Sequence, residues 1–502
     1  MNLIRWHAVA AAMLLGATAG AQQPSDKKCE FEESRPRQIP IAGLSLSRAS
    51  MSRDPAERAK GFKEVVRLLS DLKENPEARG WYMAQAIASW MGDPGMPPTF
   101  VVTRGAAGFA DDPAKPLDLL VLVDSLLTSI ETWNPACTSQ TSPWRAQRPW
   151  FNLVQKAFTK LGNNDLDSAT FYAQRSRVIN RTSAYGPYVL GQVAMSRKDL
   201  AGARSLLTEA ARLAGTDTVY VEIRRQALLG IARVSAEDAE RATGDEKVAK
   251  TKLAVADLRT FLGEAPYDRD AAPARAMLAE LLVAAKDTAA VIGVYADVLG
   301  NPAKYGDYEK VQAGVTFTRI NRSAEATRMF ELAVEQNPNQ RDALNNLAAT
   351  YYGLNKFDKV LPVADRLTRI DPNNPDNWLW FVYGYQGIAK GFTGKDAASV
   401  KQRKAYTDSV LKYNDLYTKM PVKVTFTNFN RGANEALLVG QLENLGAAER
   451  SYVMTIEFLD KDGNVVTTAD AKVDAVKAKG SKDFRVSVPK GGIVAFRYKP
   501  IS

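Results

Sequence analysis

The sequence predicts a mainly α fold, a solenoid of helical repeats, followed by a small all-β domain. The first observation is a series of prolines, Pro266, Pro302, Pro338 and Pro372, which lie 36, 36 and 34 residues apart and each close an amphipathic stretch. A period near 34 residues is typical of helix pairs that stack into a solenoid. The second observation is that the helical periodicity stops at Pro421, after which short alternating strands broken by turns follow.

The second helix of each repeat is predicted to carry an apolar stripe. When each closing proline is counted as unit position 32, positions 20, 24 and 27 are apolar in every unit except at Asp297. The spacing i, i+4, i+7 places these positions on one helix face, so we expect them to pack against the neighbouring repeat. The four sets are Ala254, Leu258 and Phe261; Ala290, Val294 and Asp297; Ala326, Phe330 and Ala333; and Val360, Ala364 and Leu367.

One unit resembles the tetratricopeptide (TPR) repeat. Gly314, Ala326, Phe330 and Pro338 stand where that family has a small residue at position 8, a small residue at 20, an aromatic residue at 24 and a proline at 32. The resemblance extends over about residues 150–390. It implies an α-α superhelix of helix pairs whose first helices line a concave groove, and a protein or peptide as the bound partner.

The polar region between the two helices of one predicted repeat, from Gly230 to Ala254, is longer than the period allows. Residues 235–250 are a charged insert of about a dozen extra positions. We expect either a longer loop or two extended helices there.

The segment from Pro421 is predicted to form an immunoglobulin-like β-sandwich. Its predicted strands are residues 422–427, 436–442, 452–459, 465–471, 483–488 and 493–498. Residues 439–444 and 456–463 resemble the FxLYD-type sandwich domain of exported bacterial proteins, with Phe458, Leu459 and Asp460 as a shortened form of its signature. That resemblance implies an adhesive or structural appendage without chemistry of its own.

The beginning of the chain predicts export. Arg5 precedes an apolar run from Ala8 to Ala19, and small residues followed by Gln22 resemble a cleavage site. We therefore expect a cleavable signal peptide and a periplasmic or secreted protein. The expected parts of the chain are a signal peptide (1–21), an N-terminal arm with degenerate helices (22–149), a TPR-like solenoid (150–394), a capping helix (395–420) and the β-sandwich (421–502). Because only Pro421 separates helix from strand, we expect the last two parts to be fixed to each other.

Cysteine and histidine usage limit the chemistry. Cys29 and Cys137 are the two cysteines, and export makes a disulfide between them one interpretation, with two unpaired thiols as the other. The one histidine, His7, falls in the predicted signal peptide, so no triad, histidine base or histidine-bound metal is expected after cleavage. We predict no cofactor, no metal and no enzymatic activity. An enzyme using carboxylates in the irregular region 92–148 is the remaining catalytic alternative.

The charge is basic but spread along the chain. Lys and Arg total 66 and Asp and Glu total 56, for a formal net charge of +10. Without a basic run interleaved with aromatic residues, nucleic acid is an unexpected partner. Weak attraction to anionic envelope surfaces is compatible with this charge.

The predicted groove is rich in aromatic and amide side chains at concave-face positions of the first helices. Amides pair with peptide backbone, and tyrosine and tryptophan give rigid contact area. The candidate binding residues are Tyr308, Gln312, Asn345, Asn346, Tyr352, Trp380 and Tyr383. Asn346 matches the asparagine of peptide-binding repeats, whereas Asp376 and Trp380 stand where carboxylate-clamping members have basic residues. A second interpretation is that these aromatic residues pack against the capping helix or the sandwich.

The function predicted from the sequence is an exported scaffold of the cell envelope that binds a peptide or protein segment in its groove. The alternative is a glycan- or peptidoglycan-associated binding protein, in which the sandwich and surface aromatic residues contact the glycan.

Overall fold

The computed structural model describes residues 28–502. The predicted signal peptide of residues 1–21 lies outside the described residues. Helices dominate as far as Thr418, and antiparallel strands follow from Val422. The predicted fold class, helical repeats followed by a small all-β region, is therefore confirmed. The chain divides into two compact units, with the boundary between Ala265 and Pro266. The five-part domain division remains a prediction.

The first unit begins with helices that precede the regular pairs. They are α1 (Gln38–Met51), α2 (Pro55–Leu69), α3 (Pro76–Met91), α4 (Arg104–Ala107), α5 (Leu119–Trp133) and α6 (Thr138–Arg145), with a small antiparallel hairpin of β1 (Val101–Thr103) and β2 (Pro116–Asp118). Helices α2 and α3 both start with proline, preceded by the capping side chains of Asp54 and Asn75. Proline suits the first helical position, where its missing N–H group has no intrahelical acceptor.

The segment before α1 is fastened to these helices. Cys29 is disulfide-bonded to Cys137, with the two Cα atoms 4.8 Å apart. Phe31 stacks on both Trp81 and Trp133, at centroid distances of 5.4 and 6.0 Å. The Asn75 amide donates hydrogen bonds to the carbonyl oxygens of Glu32 and Arg35. The segment is therefore held by a covalent bond, by ring stacking and by hydrogen bonds to its backbone.

Three helix pairs complete the first unit. They are α7 (Arg148–Gly162) with α8 (Leu166–Ile179), α9 (Tyr185–Ser196) with α10 (Leu200–Ala214), and α11 (Val221–Arg241) with α12 (Gly244–Glu264). The charged insert forms the extended ends of α11 and α12, which have 21 residues each. Lys250 bridges Asp238 and Glu246 at 2.9 and 2.7 Å there. Of the two expected forms, the structure has the extended helices.

Four further pairs lie in the second unit. They are α13 (Ala271–Ala284) with α14 (Thr288–Val294) and α15 (Ala296–Gly300), α16 (Asp307–Arg319) with α17 (Ser323–Gln336), α18 (Arg341–Gly353) with α19 (Phe357–Ile370), and α20 (Pro375–Gly391) with α21 (Ala397–Thr418). In the pair that best matches the TPR pattern, Ala326 and Phe330 are fully buried. A Cβ atom added at Gly314 would lie 2.5 Å from Phe330 Cε1. Glycine thus lets the two helices approach at this ring.

The predicted stripe is wrong in one repeat. Its second helix is interrupted at Tyr295, between α14 and α15. The buried positions there are Val291, Tyr295 and Val298, each one residue later than the predicted set. Asp297 is consequently exposed, where it accepts hydrogen bonds from Tyr305 and Tyr267. The acidic residue that broke the apolar pattern therefore lies outside the stripe.

The C-terminal region contains two antiparallel sheets. Strands β3 (Val422–Arg431), β4 (Ala436–Asn444) and β7 (Ser481–Val488) form one in the order β3-β4-β7. Strands β5 (Arg450–Leu459), β6 (Val465–Val476) and β8 (Ala495–Tyr498) form the other in the order β6-β5-β8. Buried side chains from both sheets share one apolar core, including Val424, Leu438, Ile456 and Phe458. All six predicted strands are present.

Within residues 28–502, none of the helices combines the length and apolar character that crossing a bilayer requires.

Candidate functional site

An exposed aromatic cluster joins the first helices of two successive repeats. Tyr352 of α18 lies 5.5 Å from Tyr383 and 6.4 Å from Trp380, both of α20. The Trp380 and Tyr383 rings are 5.8 Å apart, edge to face. The indole Nε1 of Trp380 donates a 3.0 Å hydrogen bond to Asn345 Oδ1. We refer to Asn345, Tyr352, Trp380 and Tyr383 as the aromatic cluster.

The aromatic cluster faces solvent. Tyr352 is 42% exposed and Tyr383 36% exposed, although both are large and partly apolar. Exposed residues on α18 also form a continuous stripe of Asp342, Asn345, Ala349 and Tyr352. These positions lie near one line along the helix, spanning about 15 Å at 1.5 Å per residue. The cluster is therefore one end of a solvent-facing surface rather than an isolated ring.

The other predicted groove residues have separate surroundings. The Asn346 amide is half-buried and donates to the carbonyl oxygen of Asp342, one turn back in its own helix. Tyr308 is 51% exposed and lies where α16 approaches the sheets. Gln312 is half-buried on the same helix as Tyr308. The structure thus brings four of the seven candidates together and leaves these three apart from them.

A second face of α20 packs against α21, and sequence reasoning did not select its residues. Phe381 stacks on Tyr413 with a centroid distance of 4.3 Å and nearly parallel rings. Trp378 and Tyr385 stack on the same tyrosine at 6.3 and 5.6 Å. Because α20 has 3.6 residues per turn, these rings and those of the aromatic cluster occupy different faces. The helical period of the sequence could have separated the rings that pack against α21 from those of the aromatic cluster.

An open cleft adjoins the aromatic cluster. It has a volume of about 710 Å³ and is bordered by Tyr352, Phe357, Asp358 and Lys390. The Tyr352 and Phe357 rings are 5.7 Å apart. An aromatic wall beside one acidic and one basic side chain can bind a side chain of mixed polarity.

The repeats and sheets of the second unit are joined by buried polar contacts. The Tyr498 hydroxyl donates to Asp371 Oδ1 at 2.7 Å and accepts from the Asn373 backbone N–H at 3.1 Å. Asn373 also pairs with both backbone groups of Ile501. Burial, followed by the charge of Asp371, raises the pKa of Tyr498 well above its usual value. The hydroxyl therefore stays protonated and keeps donating.

A second polar contact closes the same junction. Arg431 of β3 lies 3.1 and 3.0 Å from the two carboxylate oxygens of Asp307. Asn337 donates to Asp307 Oδ2 at 2.7 Å and to the carbonyl oxygen of Val494 at 3.2 Å. A charged pair that is supported by additional hydrogen bonds holds the strand and the helix in a defined orientation better than an isolated surface pair does.

Two acidic residues of the irregular region, Asp124 and Glu131, are bound by arginine. Arg145 donates to Asp124 Oδ1 at 2.6 Å and to both oxygens of Glu131 at 3.0 Å. Arg181 contacts the other Asp124 oxygen. Burial acts to raise the pKa of Glu131, but hydrogen bonds from Arg145 and Thr141 outweigh it, so this pKa lies below its usual value. A carboxylate held ionised in this way is poorly suited to act as a general acid.

Across the part of the chain that the structure describes, no group of three or more His, Cys, Asp or Glu residues is arranged to hold an ion.

Comparisons with known proteins give TPR structures of low similarity. No family model and no curated protein matches the chain. Similar solved structures include YrrB, a TPR protein with an unusual peptide-binding site, at 17% identity over 44% of this chain and 96% of that chain, with a TM-score of 0.28. The TPR protein TTC0263 of Thermus thermophilus is 12% identical over 40% of this chain and 98% of its own, with a TM-score of 0.26. Yeast Tom70 is 12% identical over 78% of this chain and 68% of its own, with a TM-score of 0.27. At these TM-scores the likeness carries no argument, and the description of the repeats rests on their own helices.

Proposed function

We propose that this chain is a non-enzymatic scaffold of the cell envelope that binds a peptide or protein segment across α18 and α20. The observation that carries the proposal is the aromatic cluster, in which exposed rings from two successive repeats touch one another. Tyrosine and tryptophan lose little conformational entropy on binding and are frequent anchors of interfaces. Their mutual contacts hold the rings in place before a partner arrives.

The polar groups of the same surface suit a peptide. Asn345 is fixed by Trp380, and its exposed amide can pair with a peptide backbone. Asp342 and Asn345 continue the surface beyond the rings. A segment lying along this stripe would contact apolar rings at one end and polar groups at the other. This combination of a few polar groups with an apolar anchor gives orientation as well as affinity.

Export is part of the proposal. Its support is the sequence pattern of residues 1–21 together with the disulfide between Cys29 and Cys137. Disulfides persist in oxidising compartments and are rare in the cytosol. Edman sequencing of protein recovered from its native cells should start near residue 22. Protein that retains residues 1–21 and fractionates with the cytosol would contradict this part of the proposal.

In-cell photocrosslinking tests the binding surface. A photoreactive residue at Ala349 lies on the exposed stripe between Asn345 and Tyr352, without replacing a polar contact. We expect mass spectrometry to find one dominant trapped protein. Replacing Tyr352 and Trp380 with alanine should abolish that product, because the rings that anchor the partner are lost.

A matched control uses Arg369, which is exposed near the end of α19 and so belongs to the second helix of the repeat. The same photoreactive residue at this position should not trap the partner. If both positions trap the same proteins, or if Ala349 gives crosslinks only within the chain, the proposed surface is not a docking site.

A further inference from the structure

A small cavity lies where the repeats of the second unit meet the edges of both sheets. Its volume is about 320 Å³, at the lower end of the range of about 300–1,000 Å³ for small-ligand sites. Helices α16 and α18 contribute Tyr308, Arg341 and Asp342, and edge strand β3 contributes Asn428. Edge strand β8 and the residue before it complete the wall. The cavity is separate from the aromatic cluster.

The charges at the cavity do not favour an anion. Arg431 is bound by both carboxylate oxygens of Asp307. The Arg341 Nε atom lies 3.1 Å from Asp371 Oδ2. Asp342 adds a third carboxylate to these two arginines, so the local formal charge is −1. An acidic ligand would therefore meet net repulsion.

Several hydrogen-bonding groups in the cavity wall are unused. The guanidinium group of Arg341 lies 4.3 Å from the centroids of both Phe426 and Phe496. That guanidinium is paired with Asp371, whereas the carboxylate of Asp342 and the side-chain amide of Asn428 are exposed and have no hydrogen-bond partner among residues 28–502. Donors and an acceptor thus converge on one small volume. A ligand that both donates and accepts hydrogen bonds is required to match them.

An exposed aromatic ring completes the set. Tyr308 is half exposed and lines the cavity, so part of its ring is accessible to a ligand. Phe426 and Phe496, by contrast, are already covered by the Arg341 guanidinium. The remaining phenylalanine of the wall, Phe429, is half-buried and packs on Phe496 at 4.9 Å, so Tyr308 is the most exposed ring on which an apolar ligand face can lie.

We propose that this cavity binds a neutral sugar unit of a glycan. A pyranose ring carries hydroxyl groups that donate and accept, and its C–H face packs on an aromatic ring. Asp342 would accept hydrogen bonds from the hydroxyl groups, Asn428 would donate to and accept from them, and Tyr308 would stack on the ring. This site shares Asp342 with the exposed stripe of α18 but contains no residue of the aromatic cluster, so variants of Tyr308 and Tyr352 test the two proposals separately.

Titration calorimetry of the full-length protein tests the proposal. The probes are maltotriose, cellotriose and triacetylchitotriose, all neutral and each at millimolar concentration. We expect at least one to bind. Asp342→Asn and Tyr308→Ala should each weaken that binding at least tenfold, since one removes a charged acceptor and the other the stacking surface. Both side chains are exposed, so these variants should keep the thermal midpoint of the parent protein.

Tyr352→Ala is the matched control, because it removes an exposed tyrosine from the aromatic cluster. It should leave sugar binding unchanged while reducing the crosslinked product described above. The sugar site is overturned if none of the three probes binds. It is also overturned if trigalacturonic acid binds more tightly than all of them, or if Tyr352→Ala weakens binding as much as Tyr308→Ala.

Discussion

At the scale of single residues, Gly314 sets how closely two helices of a repeat can pack. A methyl group there would lie 2.5 Å from the Phe330 ring, which is buried. We predict that Gly314→Ala destabilises the protein by about 1–3 kcal/mol, the usual cost of overpacking a core. The decrease in the midpoint of urea unfolding measures it.

Gly353→Ala provides the matched control for that variant. No atom lies within 4 Å of a Cβ placed at Gly353, which ends α18. Alanine favours helix over glycine by about 1 kcal/mol, so this variant should be unchanged or slightly more stable. An equal loss of stability in both variants would show that the Phe330 contact is not the cause.

Tyr498 is the residue whose titration should couple the junction to pH. Its pKa is raised in the folded protein, from about 10 in the unfolded chain, so its stabilising effect is complete below about pH 10 and is lost as the pH rises further. We predict that stability to urea falls above pH 10. Tyr498→Phe should fall less over that range, because it has no proton to lose.

The same variant should cost stability at neutral pH. Removing the hydroxyl takes the donor from Oδ1 of buried Asp371 and the acceptor from the Asn373 N–H, at a cost of about 1–3 kcal/mol. Tyr308→Phe removes a hydroxyl that is exposed and is the control. A neutral-pH stability of Tyr498→Phe equal to that of the parent would show that the contact does not stabilise the junction.

Local patterns in the sequence located some of these residues and could not locate others. Gly314 and Phe330 were identifiable because the repeat places them at fixed positions. The pairing of Tyr498 with Asp371 was not, since 127 residues separate them and no period relates a strand to a helix end. Asn345 and Asn346 were selected together, but one is exposed and the other turns back to its own helix.

At the scale of elements, α21 is held chiefly by its tyrosines. None of its side chains is fully buried, and Tyr413 stacks on three rings of α20. Aromatic pairs contribute about 0.5–1.5 kcal/mol each beyond the area they bury. We predict that Tyr413→Ala speeds hydrogen exchange across Ala397–Thr418 at least tenfold, because this helix opens locally once the stack is lost.

Leu411→Ala is the control for this helix. Leu411 is 64% exposed, two positions from Tyr413. Exchange of α21 should stay at the parent rate in this variant. Equal acceleration by both changes would mean that helix propensity, rather than stacking, holds α21.

The interrupted helix shows why repeat period alone misplaces a side chain. The proline spacing of 36 residues around Asp297 recurs in the next unit, whose second helix, α17, is continuous. The spacing therefore does not reveal the break at Tyr295, which moves the buried positions forward by one. Counting backwards from the proline assumes an unbroken helix. The count therefore placed the buried positions one residue too early wherever the helix is interrupted. Where the helices are continuous, as in α17 and α19, the predicted stripe is buried.

At the scale of the whole molecule, the disulfide closes a large part of the first unit. Cys29 and Cys137 are 108 residues apart, for which loop-closure entropy predicts a stabilisation of about 5 kcal/mol. We predict that the double variant Cys29→Ser, Cys137→Ser lowers the first thermal transition and exposes residues 28–35 to proteases. Differential scanning calorimetry and limited proteolysis are the measurements.

In the same double variant, the second compact unit serves as an internal control. Residues 266–502 form the other compact unit and contain no cysteine. Their protease fragments should keep the parent cutting pattern. Equal sensitivity of both units, or an unchanged first transition, would contradict the expected local effect of the bond.

The junction of repeats and sheets also fixes an order of events during biosynthesis. Asp371 and Asn373 are synthesised about 125 residues before their partners Tyr498 and Ile501. The helices that carry them can pair as soon as they emerge, because their own contacts are local, whereas contacts over such separations form slowly. Until the last strand is synthesised, the polar groups of Asp371 and Asn373, which are buried in the complete protein, remain exposed to water. A stalled or shortened nascent chain would therefore have folded repeats whose polar groups at the junction are exposed to solvent. Quality-control proteases could recognise such a chain at these exposed groups.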